Sequence, residues 1–494
     1  MPNTFLLHAG NRSRNACRRP FAWALLRKAA VLALPLLLVL SLLAGAALAL
    51  EDEAPGTYGA EEDKEKSFST GTAFFDDADF SGGVYFMLRD RRRKDLASGD
   101  YKKNLDHITT QASGEINSGF IGDVIGADFG FFGSHDIHQS GGIDHEMNFV
   151  PWRDPWHMEW GKTRTDDGVS IYKALIKTKL GPAWARGGYF QPAGPGVLGV
   201  NWSFLPGTYR GVEAGADIGR LSLAAAWADE YKAPWYTDTY HFRSGYGEDH
   251  IPWMWSLGAR YSFENSLTLE AAYGESKGYL KNAHLKTSYD TKAGPGDLNI
   301  RYHIYAMDDS DNSGKDSTDN FDGTAWQHYL GFTYGYKLWT VRLEGTYTWV
   351  DFSKKDQRGY FAYRLTNPTG SSKGAYDVWW DARSDWNHHK ETAVYLAFER
   401  KLDDILFFPG VYLGTGAVMG WDGRGYGVSE RFKEWAFTFD LGYIKPDGPL
   451  EGAWLKLHYT EYRNGTSQPD WGPYKNAFQD EHDLKLMAGI PFSF

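Results

Sequence analysis

Cysteine is almost absent from this sequence of 494 residues, and the single one, Cys17, lies in the amino-terminal segment. Residues 1–49 carry six basic residues and no acidic residue, and an apolar run occupies residues 29–47. Ala47 and Ala49 supply the small side chains that a signal peptidase reads, so we expect an export signal at 1–49 with cleavage after Ala49. An uncleaved anchor is the alternative, because about 20 apolar residues can span a bilayer, but Pro35 disfavours it. The exported chain would then contain no disulfide.

Positive charge is also scarce once this segment is removed. The remaining chain has 46 Lys and Arg against 63 Asp and Glu, a net charge of −17. Such an acidic chain is a poor partner for nucleic acid. Residues 50–72 are themselves acidic and have almost no apolar side chain to bury, so we expect a flexible leader there.

Long hydrophobic runs are missing after residue 49. No segment approaches the length of about 18 apolar residues that a transmembrane helix needs. Aromatic residues nevertheless make up 16% of the sequence, with 20 Trp and 30 Tyr, and there are 56 glycines. This combination is typical of transmembrane β-barrels, in which Trp and Tyr lie at both membrane interfaces and the lumen is polar.

Alternating hydrophobicity points to the same fold. In the last eleven residues, one side of the predicted strand is apolar: Leu484, Leu486, Ala488, Ile490, Phe492 and Phe494. A second strand runs from Trp339 to Trp349, about 33 Å of extended chain, which covers an apolar band of roughly 25 Å when tilted. In a soluble sandwich these apolar sides would face inward. An export signal and an aromatic last residue favour lipid instead.

The number of strands follows from the length. The 445 residues after the signal fit 18 antiparallel strands, with 16 as the alternative, at roughly 25 to 28 residues for each strand and its loop. We therefore predict an all-β fold, a single transmembrane antiparallel β-barrel over residues 73–494. Short spacers such as 263–266 and 445–448 are expected to be periplasmic turns. Long spacers such as 235–252, 308–324 and 351–377 are expected to be extracellular loops.

Motifs of enzymes and metal sites are lacking. There is no G-x-S-x-G elbow, P-loop or dinucleotide fingerprint, so no catalytic site or cofactor is expected. Histidines gather at residues 135–157 and at His388-His389, but without a cysteine or a helical pair to complete a metal site. Residues 309–314 resemble half of a calcium loop, yet Asn320 stands where a bidentate Glu is needed. We therefore expect no metal.

Charged and aromatic segments provide the candidate site. Arg89, Arg91 and Arg93 share one side of a predicted strand and would face the lumen, although a solvated strand end is the alternative. Residues 229–235, 321–326 and 376–383 each combine Trp or Tyr with charged residues. Flat aromatic rings beside hydrogen-bonding groups suit sugars, which have apolar C–H faces and a ring of hydroxyls. For any one Trp, a place in the membrane-interface girdle is the competing interpretation.

Several strings also resemble a known family. Residues 188–192 (GYFQP), 202–215 (WSFLPGTYRGVEAG), 229–235 (DEYKAPW), 321–326 (FDGTAW) and 478–481 (FQDE) are similar to the chitoporins of the OprD-like outer-membrane porins. The similarity runs from about Phe74 to Phe494. It implies a monomeric 18-stranded barrel in the outer membrane of a Gram-negative cell that passes chitooligosaccharides into the periplasm. The acidic leader has no counterpart in this resemblance.

We therefore expect a substrate-selective porin working by facilitated diffusion, whose partners are a small hydrophilic solute and outer-membrane lipid. An OprD-like porin for small carboxylates or basic amino acids is one alternative. A secreted β-rich carbohydrate-binding protein or enzyme is another. The candidate lining residues are Arg89, Arg91, Arg210, Glu213, Asp229, Glu230, Trp235, Trp326, Trp380, Asp381 and Arg383.

Overall fold

A computed structural model of the chain describes residues 73–141, 147–149, 165–200, 206–244, 250–309, 320–366, 372–405, 409–467, 473–474 and 477–493. The predicted signal at 1–49 and leader at 50–72 lie outside these residues. Helix is confined, within the described ranges, to α1 (Ala73–Asp76), and no helix there has the length and apolar character to cross a membrane.

Twenty-two strands lie within the described residues, and eighteen of them form the wall of a barrel. The wall strands are β1 (Asp79–Lys94), β2 (Tyr101–Asn117), β3 (Ile125–Gly141), β4 (Gly168–Leu180), β5 (Ala183–Phe190), β7 (Thr208–Ile218), β8 (Leu221–Lys232), β11 (Met254–Ser262), β12 (Leu267–Ser276), β13 (Lys281–Ala293), β14 (Gly296–Asp308), β15 (Thr324–Tyr336), β16 (Trp339–Val350), β18 (Thr392–Lys401), β19 (Val411–Gly423), β20 (Phe432–Ile444), β21 (Trp454–Asn464) and β22 (Glu481–Ser493). The four short strands in the long connections are β6 (Leu198–Gly199), β9 (Tyr240–Arg243), β10 (His250–Ile251) and β17 (Lys373–Gly374).

The barrel is closed by its first and last strands. Each wall strand pairs antiparallel with the next wall strand along the chain, and β1 also pairs with β22, from Ser81 opposite Ser493 to Arg93 opposite Glu481. Closure removes the free edges that an open sheet would expose. The predicted all-β, antiparallel barrel of 18 strands is therefore confirmed.

Alternation along the strands decides which side chains face inward. In β16, Glu344, Thr346 and Thr348 are buried on one side, whereas Trp339 is exposed on the other. The large exposed side chains of the wall are mostly apolar, for example Val84 on β1. Polar residues inside and apolar residues outside are the reverse of a soluble protein, as the sequence analysis predicted.

The two ends of the barrel have different connections. At one end, residues 181–182, 219–220, 294–295 and 337–338 each join two strands with two residues, and residues 263–266 and 445–453 are also short. The first residue of each two-residue turn has a positive φ, and it is glycine in three of the four cases. The long connections 191–207, 233–253 and 351–391 are all at the other end.

Two of the long connections fold into the barrel and pack on its inner wall. Val197 N donates a hydrogen bond to Ser256 Oγ at 2.8 Å, and a Cβ on Gly258 would be 2.2 Å from the carbonyl oxygen of Pro195. Loop 191–207 therefore lies directly against β11. It also meets loop 351–391, because β6 and β17 pair and Tyr209 Oη donates to the Lys373 carbonyl at 2.7 Å.

The described part of the interior thus contains a hydrophobic core built from loops as well as wall strands. Its members include Val197, Leu198, Phe361, Leu365, Trp380 and Trp386 from the connections, and Tyr209, Tyr329 and Tyr395 from the wall. These contacts narrow the lumen and bring charged wall residues next to the loops.

Candidate functional site in the barrel interior

The arginines of β1 lie on the inward side of the strand, together with buried Met87. Arg89 binds the carboxylate of Asp483 with two hydrogen bonds, Nε to Oδ1 at 3.0 Å and Nη2 to Oδ2 at 2.6 Å. Arg91 is buried and its Nε donates to Asn104 Oδ1 at 2.7 Å. Arg93 pairs with Glu481. The inward basic residues of β1 are therefore held by neighbouring strands.

A second cluster of charged side chains joins loop 351–391 to the wall at Asp381. Lys485 Nζ donates to Asp381 Oδ1 at 2.5 Å, and His458 Nε2 donates to the Asp381 carbonyl oxygen at 3.1 Å. The other ring nitrogen of His458 is 2.7 Å from Asp440 Oδ1, and Lys456 reaches the same carboxylate at 3.0 Å. Burial alone would raise the pKa of Asp381, but Lys485 and His458 lower it to about 2.

The neighbouring Arg383 is held in the same way. Its guanidinium pairs with Glu481, which Arg93 also contacts, and lies 4.2 Å from the centroid of the Phe478 ring. A guanidinium at this distance over an aromatic face is a cation–π contact. Arg383 therefore ties the loop to β22 and adds to the positive charge around Glu481.

Trp380 is part of the packed interior. Only 5% of its surface is exposed, its Nε1 donates to Glu344 Oε2 at 2.7 Å, and its ring stacks on Tyr395 with centroids 5.4 Å apart. Glu344 Oε1 accepts from Arg301 Nη2 at 3.0 Å and from Arg342 Nε at 2.9 Å. The Trp380 ring thus has no free face for a solute, and Trp235 in residues 233–239 is buried to a similar degree.

Glu213 is likewise buried and held by hydrogen bonds within the protein. It is buried on the inward side of β7, and it accepts hydrogen bonds from Arg186 Nε at 2.7 Å and from the backbone N of Gly194 at 3.0 Å. The backbone N of Ala193 donates to the same carboxylate at 3.2 Å. Glu213 therefore holds the first residues of loop 191–207 against the wall.

Three other candidates, Arg210, Asp229 and Glu230, form an ion-pair cluster at the ends of β7 and β8. Arg210 Nη2 is 2.6 Å from Asp229 Oδ2 and 2.9 Å from Glu230 Oε1. Arg210 and Val212 are on the same side of β7, and 54% of the Val212 surface is exposed. The preceding residue, Tyr209, is on the other side of the strand and is buried in the interior. Alternation therefore places Arg210, and with it the cluster, on the outer side of the wall.

Trp326 is also on the outer side of the wall. It shares its side of β15 with exposed Leu330, whereas the alternate residues Gln327 and Tyr329 are buried inside. Trp349 of β16 is directly opposite in the strand pairing. The alternation of β15 was readable from the sequence, so the outward position of Trp326 could have been derived there.

The interior side chains with free surface are a different set. Arg342 and Asp377 are partly exposed to the lumen side, and Lys286 Nζ binds Asp377 Oδ2 at 2.7 Å. In residues 376–383, exposed and buried side chains alternate, and Trp379 is 56% exposed beside buried Trp380. Sequence reasoning did not single out Trp379, because only the packing on Tyr395 distinguishes the two tryptophans.

The chain resembles known proteins over nearly its whole described length. The family model for outer membrane porins of the OprD family matches residues 72–492. Chitoporin of Escherichia coli (strain K12) is 38% identical over 442 residues, which cover 85% of this chain and 92% of that protein.

Solved structures share the fold at lower identity. Acinetobacter baumannii OccAB1 has a TM-score of 0.68 and 16% identity, covering 86% of this chain and 98% of its own. Pseudomonas aeruginosa OccK9 (OpdG) has a TM-score of 0.67 and 15% identity, covering 85% of this chain and 100% of its own.

Proposed function

The chain belongs to the OprD family of outer membrane porins, and from this membership we propose that it admits chitooligosaccharides to the periplasm by facilitated diffusion. As a member of this family it is a channel of the Gram-negative outer membrane and not an enzyme. The 38% identity to a chitoporin across 92% of that protein is the observation that carries the proposed substrate.

The charges of the interior are compatible with a neutral, hydroxyl-rich solute. Arg342, Arg301 and Asp377 each keep part of their surface free while pairing with a neighbour of opposite charge. Paired groups of this kind can exchange hydrogen bonds with sugar hydroxyls. A porin must also release its solute, so each of these contacts has to be weak.

The exposed ring of Trp379 gives an apolar surface for stacking. Its neighbours Val378 and Trp380 are buried, and Asp377 binds Lys286 on the inner wall, so loop 351–391 carries Trp379 inside the barrel. A flat aromatic ring can stack on the C–H face of a pyranose. We assign sugar contact to Trp379, Arg342, Arg301 and Asp377.

The interior candidates from the sequence have a second role in this proposal. Glu213, Trp380, Asp381 and Arg383 hold the two inward loops against the wall and so set the width of the lumen. Arg89 and Arg91 bind residues of neighbouring wall strands, and Trp235 is buried in connection 233–253. The outward cluster of Arg210, Asp229 and Glu230, together with Trp326, has no part in solute contact.

Planar-bilayer recording tests the proposal. The purified porin is titrated with chitooligosaccharides of increasing length, with maltooligosaccharides of equal length as the control lacking acetamido groups. We expect chitooligosaccharides to interrupt the current at concentrations at which the control sugars have no effect. Equal responses to the two series would contradict the proposal.

A small carboxylate is the second candidate solute. Arg301 and Arg342 both donate to a single oxygen of Glu344, which leaves positive charge in excess at that point of the lumen. A strong anion preference in the reversal potential, together with indifference to chitooligosaccharides, would support the carboxylate channel instead.

The proposal also covers the amino-terminal segments and the oligomeric state. We propose that residues 1–49 are a cleaved signal peptide, that residues 50–72 form a leader and that the barrel is a monomer. Amino-terminal sequencing of the outer-membrane form is expected to begin at Leu50, and light scattering in detergent is expected to give one chain per particle.

A further inference from the structure

Three acid–base side chains converge where loop 351–391 meets the wall. His388 and Glu391 belong to the loop, and Glu434 is on the inward side of β20. All three side chains are buried, with exposures of 0%, 0% and 1%. His388 Nδ1 is 3.0 Å from Glu391 Oε2 and 4.0 Å from Glu434 Oε1, and one ligand atom from each residue can be chosen with all three within 4.8 Å of one another.

Within the described parts of the chain, the two carboxylates of this cluster have no basic partner other than the histidine. Among the described residues, neither Glu391 nor Glu434 forms an ion pair with Lys or Arg. This contrasts with the buried carboxylates of Asp483 and Glu344, each of which binds an arginine. Buried charges in proteins are normally paired or coordinate a metal, because an isolated ion loses its hydration on burial.

Two buried polar atoms of the cluster also lack a hydrogen-bond partner. They are Glu391 Oε1 and His388 Nε2, in side chains that are fully buried. Glu391 Oε1 packs closely on the backbone of Gly420, where a Cβ would be 2.1 Å from that oxygen. A fully buried carboxylate oxygen without a donor is the kind of group for which a bound cation is an explanation.

We infer that His388, Glu391 and Glu434 bind a divalent transition-metal cation, with Zn²⁺ as the expected occupant. One imidazole nitrogen with two carboxylate oxygens is a ligand set that zinc takes in proteins. Imidazole also disfavours Ca²⁺ and Mg²⁺, which prefer oxygen ligands only. From the sequence alone no metal was expected at His388-His389, because neither a cysteine nor a helical pair of histidines completes a site there. Glu434 is far away along the chain and enters the cluster only through the fold.

The metal would fasten the inward loop to the wall. Glu434 already accepts hydrogen bonds from Ser384 Oγ at 2.8 Å, in the loop, and from Tyr462 Oη at 2.5 Å, on β21. A cation shared by two loop residues and one wall residue would fix the segment that carries Trp380, Asp381 and Arg383. Metal removal is therefore expected to loosen this loop.

Metal binding to the purified full-length protein tests the inference without any assay of transport. The protein in detergent is treated with a chelator, dialysed and titrated with Zn²⁺, with calorimetry and elemental analysis as readouts. We expect one tightly bound Zn²⁺ per chain and a higher melting temperature after its addition. His388→Gln and Glu434→Gln should each weaken Zn²⁺ binding at least tenfold, whereas His138→Gln, at an exposed histidine, should leave it unchanged.

Heat-modifiable migration on gels verifies that each variant forms the barrel. If the wild type binds no stoichiometric Zn²⁺, or if folded His388→Gln binds it as tightly as the wild type, the inference is wrong. A protonated-carboxyl infrared band that persists in the Zn²⁺-treated wild type and disappears in Glu391→Gln would show that protons neutralise the cluster, and would also overturn it.

Discussion

At the residue scale, two adjacent tryptophans have opposite environments. Trp380 is enclosed by Tyr395, Trp386 and the Glu344 carboxylate, whereas more than half of the Trp379 surface is free. The two residues are of the same type and adjacent in the sequence, so the sequence does not distinguish them. The difference arises because backbone alternation in residues 376–383 turns one ring toward the core and the other away from it.

Trp379→Ala is expected to weaken the interaction with chitooligosaccharides by about fivefold, because an aromatic contact contributes on the order of 1 kcal/mol. The concentration of sugar that blocks half of the single-channel current measures this change. Trp326→Ala is the matched control, since Trp326 is on the outer side of the wall. If both variants weaken the interaction with the sugar equally, Trp379 does not contact the solute.

The contact of Asp381 with Lys485 and His458, which fixes loop 351–391 to the wall, is expected to weaken in strong acid. Because Lys485 and His458 lower its pKa from 3.8 to about 2, the ionised form is favoured in the folded protein. The stability that it contributes is fully present above pH 3.8 and is lost as the pH falls through about 2. The difference in melting temperature between wild type and Asp381→Asn should therefore shrink as the pH falls from about 4 toward 2. A difference that stays the same over this range would contradict the assignment.

At the scale of elements, the seam between β1 and β22 depends on side chains as well as on backbone pairing. The bidentate pair of Arg89 and Asp483 is mostly buried inside the barrel, whereas Asp90 and Arg92 pair on the outer side with much of their surface exposed. Removing one member of a buried pair leaves the other charge without compensation, but exposed pairs contribute little.

Asp483→Asn is therefore expected to lower the free energy of unfolding by about 3 kcal/mol. Asp90→Asn should change it by less than about 1 kcal/mol. Urea unfolding of the barrel reconstituted in lipid vesicles compares the two. A loss of less than about 1 kcal/mol in Asp483→Asn as well would show that the seam is held by its backbone hydrogen bonds alone.

Loop 191–207 relies on a glycine of the wall. In Gly258→Val the new side chain would meet the Pro195 carbonyl, so the loop must move, at a cost of about 1–3 kcal/mol. We expect a lower melting temperature and an altered single-channel conductance. Gly335→Val is the control, because a Cβ at this wall glycine has no neighbour within 4 Å. Unchanged conductance in Gly258→Val would mean that this loop does not narrow the lumen.

At the scale of the whole molecule, the barrel follows from features that are readable along the chain. Alternation in β16 and β22, short turns at one end and the total length were sufficient to predict an all-β barrel, with 18 strands favoured over the alternative of 16. These are local properties, because each strand displays its two sides independently of its neighbours. The inward side of Arg89, Arg91 and Arg93 was predictable for the same reason.

The site was less predictable, because its contacts join residues that are distant in sequence. Trp380 was chosen for its aromatic ring, yet its packing on Tyr395 and its bond to Glu344 assign it to the loop core. Arg210 and Trp326 were chosen because they lie near aromatic and charged residues in the sequence, although strand alternation turns both side chains outward. Chemical type suggested what a residue can do, but not where its side chain would lie.

The sequence by itself determined that the chain is acidic and built of strands with an apolar outer side, because charge and period-two alternation are properties of local stretches. The tertiary structure alone decided which loops enter the lumen, which tryptophan keeps a free face and which carboxylates meet His388. The physical reason is that loops 191–207 and 351–391 reach their places through contacts with strands far away in the chain, such as Val197 with Ser256 and Asp381 with Lys485.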